Sequence, residues 1–99
     1  AERAEATGIA VGERRSGLAA MKYVYILRSL SAEGRYYTGI TDDLKARLAK
    51  HNALEVSHTS KYAPWEVKTY VAFADENCAH AFESYLKTAS GRAFAKKRL

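Results

Sequence analysis

Lys22-Tyr23-Val24-Tyr25-Ile26-Leu27 and Arg35-Tyr36-Tyr37-Thr38-Gly39-Ile40, joined by a polar turn beginning Ser29-Leu30-Ser31, decide the fold of this chain. Both runs are rich in β-branched and aromatic residues, the composition of strands. So short a connection makes them an antiparallel pair. The first run is apolar or aromatic on both faces, which predicts a central strand covered on both sides. Gly39 inside the second run weakens it as a strand and marks a bulge or the close approach of another group.

Working outward, Thr41, Asp42 and Asp43 supply N-cap chemistry for a helix reaching roughly Lys50. Leu44 and Leu48 form its buried stripe, while Arg47 and His51 share a neighbouring face at i, i+4. Asn52 to Pro64 reads as a loop. Trp65 to Phe73 reads as a third strand, in which Val67, Val71 and Phe73 mark a period of two. Asp75 or Glu76 opens a second long helix with Cys78, Phe82 and Leu86 as its apolar row and Ala79 beside them. Ser90-Gly91 then interrupts, and Arg92 to Arg98 makes a short basic terminal helix. The order β-β-α-β-α-α predicts an α+β domain, a small three-stranded antiparallel sheet flanked by helices.

Residues 1–20 have a different character, rich in Ala, Gly and charge and without alternation. They lack the apolar core of a secretory signal. Met21 reads as a translation start, or 1–20 as a poorly ordered extension ahead of a domain spanning 21–99. At 99 residues, 47% hydrophobic and 27% charged, the chain is globular and has room for one modest core. No apolar run approaches the ~20 residues of a membrane span. The single cysteine, Cys78, excludes an internal disulfide and a thiolate zinc cage, and suits a reducing, cytoplasmic compartment. Cys78 fits a buried helix position and has no histidine partner in sequence reach, which argues against a thiol nucleophile. His51, His58 and His80 lack zinc-ligand spacing.

The net charge of +5 arises entirely in 21–99, which holds 13 of the 16 basic and 8 of the 11 acidic side chains. That excess favours polyanionic partners through counterion release. Two tyrosine triplets, Tyr23-Val24-Tyr25 and Tyr37-Thr38-Gly39, lie on the paired strands, and Arg47 and His51 follow on the helix. Two phenols, a guanidinium and an imidazole at one sheet-and-helix corner are the equipment of phosphodiester chemistry.

At these residues the chain resembles the GIY-YIG endonuclease superfamily, most of all its small stand-alone bacterial members. Tyr23-Val24-Tyr25 stands in the place of the first triplet and Tyr37-Thr38-Gly39 in that of the second. Arg47 and His51 match the family helix, and Glu83 matches its metal-binding carboxylate. The likeness spans Met21 to Leu99. Two positions depart from it: the first triplet begins with Tyr23 instead of glycine, and Ser90-Gly91-Arg92 occupies the neighbourhood of a family asparagine.

The resemblance implies a metal-dependent endonuclease that hydrolyses DNA, duplex or branched, with RNA as a further candidate, in repair or recombination. It implies catalytic roles for Tyr25, Tyr37, Arg47, His51 and Glu83, and structural roles in the motif for Tyr23 and Gly39. Tyr25 is then the base that takes a proton from the attacking water, with Tyr37 holding the water or a phosphate oxygen. A free phenol titrates near ~10, so this role needs cations such as Arg47 and a metal to lower it. Arg47 offers a planar fork to the phosphate; its plainer role is a surface pair with Asp43. His51 is expected to bind the phosphate, orient Tyr37 or protonate the leaving oxygen; its plainer role is to complement the helix dipole. Glu83 is expected to hold one Mg²⁺ or Mn²⁺, against a plainer i, i+4 pair with Lys87. His58, Lys61, Lys87, Arg92, Lys96, Lys97 and Arg98 are candidate contacts to the nucleic-acid backbone. The alternative function is a catalytically silent nucleic-acid-binding module on the same fold.

Overall fold

The computed structural model describes residues 21–99, so the expectation of a separate extension over 1–20 lies outside the described residues. Three strands, β1 (Lys22–Ser29), β2 (Tyr36–Thr41) and β3 (Trp65–Phe73), form one antiparallel sheet in the order β2-β1-β3. β1 is the central strand that its two apolar faces predict. Val24, Tyr25, Ile26 and Leu27 are all buried in succession, with no exposed residue between them. Helices therefore cover both sides of the sheet.

On one side, hereafter face one, Tyr25, Leu27 and Trp65 pack beneath α1 (Leu44–Asn52), whose Leu44 and Leu48 form the expected stripe. Tyr62 and Ala63, from the segment before β3, complete that layer. On face two, Val24 and Ile26 pack against Ala79 and Leu86, with Phe82, Ala95 and Leu99 around them. Those partners come from two further helices, α3 (Glu76–Leu86) and α4 (Ala89–Arg98). A single turn of helix, α2 (Ser57–Ser60), interrupts the stretch expected to be loop; otherwise the elements follow the expected order.

α1 begins where the N-cap chemistry predicts. The Asp43 carboxylate accepts from Ala46 N at 3.0 Å, and Thr41 Oγ1 accepts from Asp43 N at 3.1 Å. The helix then runs to Asn52, which brings His51 into its last turn.

Three expectations need correction. Val67 does not share a face with Val71 and Phe73. A bulge leaves Lys68 without a partner between Thr69, opposite Ile26, and Val67, opposite Leu27. The extra residue reverses the alternation, so Val67 packs on face one and Phe73 on face two. Cys78 is exposed, and the buried row of α3 is Ala79, Phe82 and Leu86. One residue is ~100° of helix rotation, and the helix is turned so that Ala79 lies against the sheet. Ser90-Gly91 does not interrupt a helix but lies in the first turn of α4, which Thr88 caps by accepting from Gly91 N at 3.0 Å. A side chain on Gly91 would collide with the carbonyl of Tyr85, so glycine is what lets α4 fold back closely on the end of α3.

Candidate active site

Tyr25 projects from the middle of β1 over its cross-strand partner Gly39. A Cβ at residue 39 would stand 2.5 Å from the Tyr25 hydroxyl. The glycine expected to mark a close approach is therefore the floor on which this phenol lies. Tyr25 is 1% exposed, and its hydroxyl meets His51 Nε2 at 3.0 Å.

His51 is wholly buried, and its other nitrogen, Nδ1, lies 2.7 Å from Thr59 Oγ1. Thr59 donates its one hydroxyl proton to the carbonyl of Val56 at 3.2 Å. With its proton on that carbonyl Thr59 accepts from His51, the arrangement of the tautomer protonated at Nδ1. Nε2 then carries the free lone pair and accepts from the Tyr25 hydroxyl. Burial, reinforced by the Arg47 charge, lowers the His51 pKa from its ordinary value and keeps the ring neutral.

The elements around this pair hold it in place. Trp65 donates its indole N–H to the Thr59 carbonyl at 2.8 Å. Asn52, the residue after His51, bonds both backbone groups of Trp65, accepting from N at 2.6 Å and donating to O at 3.0 Å. The end of α1, the turn α2 and the start of β3 are thereby locked around the imidazole.

Tyr37 completes the aromatic cluster, its ring centre 4.9 Å from that of His51 and 6.3 Å from that of Tyr25. Burial, then the neighbouring Tyr37, pushes the Tyr25 hydroxyl up to about 12, against the opposing pull of the Arg47 guanidinium beside it. Of the cations expected to lower this phenol, Arg47 is in place and pulls it down, but desolvation outweighs that pull.

Glu83 belongs to α3 on face two, yet its charge reaches Tyr25 and adds slightly to that upward push. Its carboxylate is largely buried and pairs with Lys87 Nζ at 2.6 Å, the plainer of its two expected partners. Among the described residues no three His, Cys, Asp or Glu side chains converge as a metal cage. A lone carboxylate is still a fitting donor for Mg²⁺ or Mn²⁺, which retain several waters and take substrate phosphate oxygens as ligands. Glu83, here paired with Lys87, would be the residue to hold such an ion.

The remaining expected residues divide between the two sides of the sheet. His58 and Lys61 are exposed on and after α2, towards face one, with the Lys61 ammonium 5.6 Å from the centre of the Tyr62 ring. Lys87, Arg92 and Lys96 line a groove on face two, and Lys97 and Arg98 are exposed in the last turn of α4. Tyr23 packs edge-on against Tyr70 at 5.8 Å, beside the cluster but outside its hydrogen bonds.

A model of the GIY-YIG catalytic domain matches residues 21–98. The chain belongs to the GIY-YIG family. It is also 41% identical over 66 residues to a UPF0213 protein of Lacticaseibacillus paracasei, a match covering 66% of this chain and 72% of the relative. The three-stranded antiparallel sheet with helices on both faces is the GIY-YIG fold, and that fold is of nuclease type.

In this GIY-YIG domain Tyr25, Tyr37, Arg47 and His51 come together at the corner where β1 and β2 meet α1. Glu83 acts on it electrostatically from the other helical layer. The expected partners of His51 change. Its ring is fully buried and bonds Tyr25, not Tyr37. Thr59 and Asn52 escaped sequence reading because both lie in or beside a loop with no periodicity. A buried histidine's need for a second partner was the only available signal.

Proposed function

We propose that this GIY-YIG domain hydrolyses phosphodiester bonds of DNA, with Tyr25 passing the proton of an attacking water to His51. The observation that carries the proposal is the buried hydrogen-bonded chain of the Tyr25 hydroxyl, His51 Nε2, His51 Nδ1 and Thr59 Oγ1. A phenol with a pKa of about 12 is not a phenolate at neutral pH. It need not be one. As water oxygen forms its bond to phosphorus, its proton moves to the Tyr25 oxygen, and the Tyr25 proton moves to Nε2. The leaving oxygen departs with the electrons of the broken phosphorus–oxygen bond and takes a proton from solvent. The imidazolium left behind keeps its Nδ1–H bond to Thr59.

Tyr37, at the side of the imidazole, is placed to orient the water or a phosphate oxygen, and Arg47 to take non-bridging oxygens in its planar fork. A divalent ion held by Glu83 would supply Lewis-acid stabilisation of the charge that develops on the phosphoryl group. We assign the activity to the cytoplasm on the strength of a single, exposed, free cysteine. Among the described residues no helix is long and apolar enough to cross a membrane.

The second reading, a silent nucleic-acid-binding module, draws support from the Glu83–Lys87 pair, which engages the carboxylate that a metal would need. Cleavage assays over duplex, branched and single-stranded DNA and over RNA, each with Mg²⁺, Mn²⁺ or EDTA, separate the two. Metal-dependent cleavage that Tyr25→Phe removes supports the nuclease. Salt-sensitive binding without turnover on any substrate supports the module.

A further inference from the structure

On face two the covering helices stop short of one end of the sheet. Ile26 is buried beneath Leu86, but its neighbours Arg28 and Tyr36 stand exposed, Tyr36 by 53%. Between this end and α4 lies a groove of about 900 Å³ with an apolar floor. Lys68, the extra residue of the bulge, and Lys87, Arg92 and Lys96 line it, and none of its lining residues is acidic. Arg92 and Lys96 are four residues apart on α4, one above the other at ~6 Å along the axis. Across from them the Lys68 ammonium stands 5.3 Å from the centre of the Tyr36 ring.

We infer that this groove binds an unpaired strand of nucleic acid, its backbone along Arg92 and Lys96 and a base on Tyr36. A file of cations alone would suit any polyanion. An exposed aromatic ring with a cation over one face, set across a concave floor from that file, suits bases that are free to stack on the other face. A duplex hides its base faces, and a free phosphate ion makes no use of Tyr36. The groove lies on the side of the sheet opposite the Tyr25–His51 pair, so it goes beyond the reaction proposed above and stands whether or not that corner turns over.

The test is fluorescence anisotropy with a labelled oligothymidylate of about twelve nucleotides, in EDTA and over a range of salt. The R92A/K96A variant should bind at least tenfold more weakly. Its plot of log affinity against log salt should be shallower by about 1.4, two phosphates at about 0.7 each. Tyr36→Ala should lose about tenfold with the slope unchanged, and Cys78→Ser, at an exposed position outside the groove, should bind as the wild type does. A blunt duplex of equal length should bind more weakly than the single strand. Arg92, Lys96 and Tyr36 are exposed and Lys68 is half-buried, and circular dichroism verifies folding; if R92A/K96A is unfolded, Lys68→Gln and Tyr36→Ala decide in its place. Wild-type affinity in the groove variants, or tighter binding of the duplex, overturns the inference. So does failure of the wild type to bind the oligonucleotide at low salt. A wild type that binds the oligonucleotide but cleaves no substrate in Mg²⁺ or Mn²⁺ sinks only the hydrolytic reading.

Discussion

Tyr25 and His51 form a donor–acceptor pair inside a core, so removing either partner leaves a buried polar group to account for. Tyr25→Phe keeps the ring and deletes the hydroxyl. Cleavage should fall on the order of 10²-fold or more, with DNA binding retained, as gel-shift and cleavage assays on one substrate would measure. His51 sets the pH behaviour. Its folded pKa is depressed below the ordinary 6.5, so between those two values the unfolded chain binds the proton and the folded chain does not. Stability should therefore decline as pH falls below about 6.5 and level off beneath the folded value. Denaturant unfolding from pH 8 to pH 4 measures this, and His51→Gln should flatten the decline in that window. Cleavage should fade only at the lower end of that range, where the folded His51 takes up its proton and Nε2 can no longer receive from Tyr25. Thr59 acts through His51. Thr59→Val should lower the rate and displace the acid limb of the pH profile, while Thr59→Ser restores both; an unmoved acid limb in the Val variant would remove Thr59 from the mechanism.

At the scale of elements, two glycines govern how closely parts approach. Gly39 in β2 yields its side-chain space to the Tyr25 hydroxyl. Gly39→Ala should cost about 1–3 kcal/mol through overpacking. It should also suppress cleavage beyond what that loss of stability explains, since the phenol must swing away from Nε2. Urea unfolding beside single-turnover rates distinguishes the two effects. Gly91→Ala makes the sharper contrast. Its methyl would meet main chain at Tyr85 instead of a side chain that can move, so stability should fall further while the Tyr25 corner survives in whatever fraction folds. The β3 bulge is the third device of this kind: one extra residue, Lys68, sends Val67 and Phe73 to opposite cores.

For the molecule as a whole, the question is how the two helical layers serve one reaction. Tyr25, Tyr37, Arg47 and His51 belong to face one, whereas Glu83 comes from the layer on face two and is held by Lys87. Lys87→Met removes the competing ammonium and should tighten Mn²⁺ binding, as titration calorimetry in the absence of DNA would record. Glu83→Gln should abolish metal-dependent cleavage while leaving DNA bound. Unaltered cleavage by Glu83→Gln at limiting Mg²⁺ would sink the single-carboxylate metal site.

The strands, the central place of β1, the N-cap of α1 and four of the five site residues' proximity were legible in the chain itself. The reason is that each rests on local physics: β-branched runs, a two-faced apolar strand, a capping aspartate, and side chains one helical turn apart. The rotation of α3, the bulge in β3 and the bond between residues 25 and 51 are different in kind. Cys78 and Ala79 are equally apolar in sequence, and only the sheet beneath them chose which was buried. Likewise the surroundings of the Tyr25 hydroxyl are set by the packed core, whose desolvation outweighs the pull of Arg47 and pushes it up to about 12. Desolvation is a property of the surrounding volume, supplied by residues remote in the chain. No spacing of letters carries it.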